Sequence, residues 1–280
     1  FLARYRGQLS FRRCAFPRRR RALRVSRTEL ARAVKVALMR ALYPLVFRSR
    51  RKYRCVICAY VGPFAHKQTP KPLRSRLNAK CPSCSSMERH RFQWQILSDL
   101  SPASSRPQQT LLHFAPEPSL EDRLRPQFGE YISADLFRSN VDQRVDVRDM
   151  PFSDDTFDII LCSMVLHYVD DYKRALQEIY RVLKPGGFAL LPVPMIHEKT
   201  NDAPAQNSAL RMVVEPGPDF YDLYDEYVDE VRVSVSTDYD DDLHFFLEPT
   251  DAHPFPLKLA EQKHADIIPV SLKAGATLDG

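Results

Sequence analysis

The chain has 280 residues, 44% hydrophobic and 27% charged, which admits one large domain or two modest ones of ordinary globular character. It contains no run of 18 or more apolar residues, so no transmembrane helix is expected. The net charge of +6 conceals an asymmetry: residues 1–54 carry 18 Lys or Arg and the single acid Glu29, leaving 23 bases against 34 acids in the rest.

Residues 1–52 are predicted to form a basic arm and a helix. The arm, with Arg18 to Arg21 in one run, should seek a polyanion, which means RNA, an anionic membrane surface or an acidic protein surface. The same composition fits a targeting segment, since transit peptides are Arg-rich and poor in acids. Mitochondrion or another organelle is therefore an expected location, and Phe1 in place of Met fits processing or truncation upstream. The helix is predicted over Thr28 to Leu42, with Pro44 bending or ending it. Val34, Leu38, Ala41, Leu42 and Leu45 recur at helical spacing. That stripe is expected to pack on its own domain or a partner, with a membrane surface as the alternative.

Residues 53–100 are predicted to be a metal module and a following helix. Cys55-x2-Cys58 and Cys81-x2-Cys84 are two knuckles, each able to turn two thiolates toward one ion. Together they make the four-sulfur cage that zinc prefers, with no open position, so the ion would be structural. An iron–sulfur cluster is the lesser reading. Paired cysteines of this kind point to a reducing compartment and an intracellular, non-secreted protein. Cys162 lies in an apolar run and is expected to be buried; Cys14 falls in the arm. Arg89-His90-Arg91 would face a phosphate, an acidic surface or solvent.

Residues 110–250 alternate strand and helix: strands at Leu111 to Phe114, Tyr131 to Ala134, Phe157 to Ser163 and Phe188 to Val193, helices at Leu120 to Arg125 and Tyr172 to Leu183. This alternation implies an α/β fold with a doubly wound, mostly parallel sheet. The stretch 215–251 holds thirteen acids and one base, Arg232. Within it, Val231 to Val235 and Leu243 to Leu247 are expected to close the sheet as a hairpin. Residues 251–280 are left as a tail.

In such a sheet ligands sit beyond the carboxyl ends of the strands. The first turn, usually glycine-rich, is here Ala115-Pro116-Glu117-Pro118, with Ser119 placed to cap the next helix. Asp135 ends the second strand, where an acid can accept from ribose hydroxyls. Asp146 falls after the third strand such a sheet has ahead of Phe157, where a carboxylate can accept from an adenine amino group.

Asp146 to Phe152, Phe157-Asp158 and Leu183-Lys184-Pro185-Gly186-Gly187 resemble the pattern of class I S-adenosylmethionine-dependent methyltransferases of the type-11 kind. The four cysteines with Arg89-His90-Arg91 and His113-Phe114-Ala115-Pro116-Glu117 also resemble a bacterial-type subgroup with a zinc ribbon ahead of that domain. The resemblance covers about residues 53–195. It implies a seven-stranded Rossmann-like sheet and a donor site at Ala115, Glu117, Asp135 and Asp146. Two departures stand against activity: the missing glycine loop and the sparse charge of Met195 to Asp219.

Methyl transfer needs donor and acceptor held in line, and a base only if the acceptor loses a proton. His167 is the candidate base; the alternative is a histidine hydrogen-bonded at a helix start. Tyr168 would line the acceptor pocket or the core. Two functions follow: a methyltransferase acting on a small molecule, lipid-linked compound or RNA, or an inactive scaffold subunit of a larger organellar ribosomal or respiratory assembly.

Overall fold

The computed structural model describes residues 27–67, 76–195, 197–202, 212–248 and 267–275. The arm through residue 26, including Cys14 and Arg18 to Arg21, lies outside the described residues, as does most of the tail.

The chain begins with α1 (Arg27–Val46) and the short strands β1 (Tyr53–Arg54), β2 (Val61–Gly62), β3 (Ala65–Lys67) and β4 (Arg76–Lys80). β1 pairs with β2 and β3 with β4, both antiparallel, and these two small hairpins frame the cysteines. Then follow α2 (Glu88–Leu100), β5 (Thr110–Phe114), α3 (Pro118–Leu124), β6 (Glu130–Asp135), β7 (Gln143–Arg144), β8 (Phe157–Cys162), α4 (Tyr172–Val182) and β9 (Leu183–Leu190). The chain closes with β10 (Glu230–Val235) and β11 (Ile267–Leu272).

The large sheet has seven strands in the order β10-β11-β9-β8-β5-β6-β7. The pairs β9-β8, β8-β5, β5-β6 and β6-β7 are parallel, whereas β11 runs antiparallel to both β9 and β10. The order reverses direction beside β5, so the switch point predicted for ligands lies at the tips of β5, β6 and β8.

The period-two alternation of the strands sorts the core onto two faces. Leu111, Ile159, Leu161, Phe188, Leu190, Ile268 and Val270 point to one side. Leu112, Phe114, Ile160, Cys162 and Ala189 point to the other, against Ala175, Leu176, Ile179 and Val182 of α4 and against Phe220 and Tyr224. The first face packs against Phe92, Ile96 and Leu97 of α2, Leu120 and Leu124 of α3, and Tyr53, Ile57, Tyr60 and Phe64 of the cysteine module. Module and sheet thus share one core.

Motif residues also staple the sheet. The Asp158 carboxylate accepts from the Thr110 backbone N–H at 2.7 Å, its hydroxyl at 2.8 Å and Lys184 Nζ at 2.8 Å. Desolvation raises its pKa, but these bonds more than offset that and hold it below the usual carboxylate range. At Gly187 a β-carbon would lie 2.7 Å from the Asp158 carbonyl oxygen, so only glycine lets the two backbones meet.

Four expectations are corrected. The helix runs through Pro44 to Val46. Its stripe of Val34, Leu38, Leu42 and Leu45 faces solvent; Val36, Met39, Tyr43 and Phe47 turn toward the body. Leu243 to Leu247 is not a strand: Leu243, Phe245, Phe246 and Leu247 are buried, and Phe245 stacks on Phe92 with ring centroids 5.5 Å apart. The partner of β10 is β11, in full register from Glu230↔Leu272 to Val235↔Ile267. A segment left as tail therefore supplies an interior strand.

Candidate functional site

The turn after β5 is made without glycine. Ala115 adopts φ of +47°, a left-handed conformation that costs an L-residue roughly 1–2 kcal/mol. Its N–H donates to the Ala134 carbonyl at 2.8 Å, and Pro118 opens α3, where a missing N–H is harmless. The small Ala115 side chain borders a cavity of about 630 Å³ at the strand tips. Asp135 and Asp146 line the same cavity, together with Phe114, Leu136, Phe137, Val147, Arg148, Met164, Val165, Tyr168, Val169, Asp170 and Val213. The walls are mostly apolar, with a few acids placed among them, which is the character of a small-molecule site.

Both acids are already engaged. Asp135 Oδ1 accepts from the N–H groups of Phe137 at 2.8 Å and Arg138 at 2.9 Å, and the Arg138 guanidinium lies 3.4 Å from Oδ2. Arg138 also donates to the Pro116 carbonyl at 3.0 Å, tying the acid loop to the turn after β5. Asp146 receives a fork from Arg148, Nη2 to Oδ2 at 2.7 Å and Nε to Oδ1 at 3.0 Å. That hydrogen bond holds the Asp146 carboxyl below its ordinary range. Arg148 reaches on to Asp170 on the opposite wall.

Glu117 does not line the cavity. Its side chain is 12% exposed; His113 Nε2 donates to it at 3.1 Å and His90 Nε2 lies 3.8 Å away. His113 is oriented in turn by the Tyr131 hydroxyl, 2.7 Å from Nδ1. Burial raises the Glu117 carboxyl, but the His113 bond together with the electrostatic pull of His90, His113 and Arg89 more than offsets it and the pKa falls to about 2, so the group is an anion at neutral pH. Burial draws His90 down to about 3, which leaves it neutral there. Ser119 does not cap α3; its hydroxyl lies 2.8 Å from His90 Nδ1. His90 and Glu117 thus form part of the seam between α2 and the sheet.

His167 likewise stands off the cavity. Its ring is 2% exposed, burial pulls its pKa to about 3, and Nδ1 has no hydrogen-bond partner among the described residues. Its carbonyl accepts from the N–H groups of Val213 and Val214. Tyr168, next in sequence and half exposed, is the neighbour that reaches the cavity wall. Sequence reasoning missed Arg138, Arg148 and Gln93. Gln93 donates from α2 to Ser163 Oγ at 2.9 Å while its own Oε1 stays buried without a partner. Arg148 sits inside the Asp146 motif and could have been flagged by its spacing; Gln93 carries no such signal. Arg91 is neither solvated nor aimed at a phosphate. It is fully buried over Phe64 at 4.5 Å and donates to the carbonyls of Ala79, Ser86 and His244.

The four cysteines converge. All four sulfur atoms lie within 4.8 Å of one another, with Cys55–Cys84 at 3.6 Å and Cys58–Cys81 at 3.7 Å. A tetrahedral ion with bonds of about 2.3 Å to sulfur requires edges of about 3.8 Å. The knuckles repeat each other. Ala59 and Ser85, four residues after the first cysteine of each pair, have φ of +57° and +65° and donate to the carbonyls of Cys55 and Cys81. The donor set therefore fits zinc.

Residues 126–191 match the family described as a methyltransferase domain. The matched family is the type-11 kind of methyltransferase domain, and the match covers 66 of the 280 residues. A 57-residue segment is 42% identical to a demethylmenaquinone methyltransferase of Clavibacter sepedonicus, covering 18% of this chain and 23% of that protein. A 38-residue segment is 50% identical to the mitochondrial arginine-hydroxylase NDUFAF5 of Mus musculus, covering 14% of this chain and 11% of that one. The chain thus spans less than a quarter of the length of these curated relatives. A phosphoethanolamine N-methyltransferase 2 of Haemonchus contortus, solved with S-adenosylhomocysteine, superimposes with a TM-score of 0.46 at 13% identity over 66% of this chain and 53% of that one. The strand alternation and the mostly parallel seven-stranded sheet follow the expected architecture.

Proposed function

We propose that the methyltransferase domain binds S-adenosylmethionine between Asp135 and Asp146 and transfers its methyl group to an acceptor with an apolar body. The observation that carries this reading is that both acids line one cavity bordered by the tight Ala115 turn. When bound, the donor supplies an electrophilic methyl on sulfur. Asp135 would accept from ribose hydroxyls, Asp146 from the adenine amino group, and Phe137 and Val147 would flank the base. Met164, Val165, Tyr168 and Val169 offer an apolar wall to the acceptor, which suits a small or lipid-linked molecule better than RNA. With His167 turned away, catalysis rests on alignment and exclusion of water, and no side-chain base is assigned. The cysteine cage would hold a structural zinc ion. The Arg-rich beginning of the chain and the mitochondrial relative support an organellar location.

The arginine pairing favours a second reading, an inactive scaffold in a larger assembly. Arg138 and Arg148 satisfy the two acids from within, and Arg138 clamps the turn. The relative NDUFAF5 is named an arginine-hydroxylase, so likeness to it does not imply methyl transfer. Calorimetry with S-adenosylmethionine distinguishes the two. The first reading expects micromolar binding, weakened at least about tenfold in Asp135→Ala, or about 1.4 kcal/mol, and retained in Arg138→Ala. Silence at millimolar donor in wild type and Arg138→Ala alike would favour the scaffold.

A further inference from the structure

We propose that the outward face of α1 seats the protein on an anionic membrane surface. The helix is apolar on two sides. Val36, Met39, Tyr43 and Phe47 turn toward the body, and Tyr43 and Phe47 pack with ring centroids 4.5 Å apart. The opposite side presents Val34 at 50% exposure, Leu38 and Leu42 at 52%, Leu45 at 69% and Val46 at 71%. An isolated exposed leucine is ordinary, but an unbroken row about 18 Å long along one helix is not.

Charge decides what covers it. Residues 30–54 carry eight Lys or Arg and no acid; Arg51 and Arg54 pair with Asp241 and Asp242, while Lys35 and Arg48 are exposed beside the row. RNA would satisfy the bases and leave the leucines in water. An apolar protein groove would take the leucines and strand the bases. The interface of an anionic bilayer satisfies both, with leucines in the acyl boundary and cations among phosphates. Their aliphatic stems allow Lys35 and Arg48 to reach the headgroups while the helix lies flat. No helix among the described residues is long and apolar enough to cross a membrane, so the contact is in-plane.

The body side of the same helix borders the strand tips. Lys35, Val36 and Met39 share a cleft with Pro118 and Ser119 at the start of α3. A docked α1 therefore holds the carboxyl edge of the sheet close to the bilayer. The docking itself does not depend on methyl transfer.

The test is co-sedimentation of the full chain with phosphatidylcholine vesicles, with and without phosphatidylserine. Wild type should partition onto the anionic vesicles, and Leu38→Glu with Leu42→Glu should lose at least about tenfold of that partition. The milder Leu38→Asn with Leu42→Asn should fall between, at unchanged melting temperature. Added salt should weaken wild type only in part. Absence of wild-type partition, equal partition of the variants, or a dimer in light scattering that the variants dissolve would each overturn the proposal.

Discussion

Ala115 shows how one side chain can replace a glycine at a ligand turn. Its backbone holds φ of +47°, so the missing glycine is compensated by strain and not by a different path. Ala115→Gly removes ~1–2 kcal/mol of that strain and adds ~0.4–1 kcal/mol of unfolded-state entropy. The expected outcome in urea titration is a small gain, up to about 1 kcal/mol, with donor affinity equal to or above wild type. A β-branched residue belongs even less in this region, so Ala115→Val should lower the midpoint clearly. Asp135 was legible from the sequence because it ends an apolar strand, and Asp146 because it opens the motif that runs to Pro151-Phe152. Their arginine partners were not. Arg138 reaches Pro116 across 22 positions, a contact only the crossover between β5 and β6 creates.

At the scale of elements, the cysteine module was readable because both knuckles are local. Each needs only two cysteines three apart and a residue willing to take a left-handed φ, which Ala59 and Ser85 supply. What the spacing did not reveal is that the module lies on the sheet through Phe92, Ile96 and Leu97 of α2 and through Arg91. Metal removal should therefore loosen the domain and not only the knuckles. Elemental analysis should give about one zinc ion per chain. Cys81→Ser should lose it, with a melting temperature several degrees lower, about what a loss of 1–2 kcal/mol produces in a domain of this size. Unchanged melting after complete chelation would argue that the cage is dispensable.

Across the whole molecule, the seam between module and sheet is where pH should act. His90 is buried there and His167 just after β8, and both are drawn down to about 3 from an ordinary value of 6.5. Between those values the unfolded chain binds protons the folded chain refuses, so stability falls as pH drops from about 6.5 toward 3. Glu117, held at about 2 from 4.5, adds a loss of the same sign as pH falls through that lower window. Denaturant midpoints at pH 7 and pH 5 should differ, and His167→Asn should flatten the difference. The charge asymmetry also closes partly on itself. Arg54 lies 3.2 Å from Asp242 and Arg51 3.8 Å from Asp241, exposed pairs worth little individually.

The sequence alone determined what local periodicity and spacing can encode: the buried strands around Leu112 and Ile160, the amphipathic α4, the two cysteine knuckles and the acids at the strand ends. Hydrophobic alternation is a property of each segment, so it survives without knowledge of its neighbours. Tertiary structure decided the choice of partners. Ile267–Leu272 and not Leu243–Leu247 pairs with β10, because Phe245 finds Phe92 while the later segment lies between two strands. It also decided the facing of α1, whose two apolar sides are indistinguishable by period and separable only by which one the body covers, and it turned His167 inward while leaving Tyr168 at the cavity.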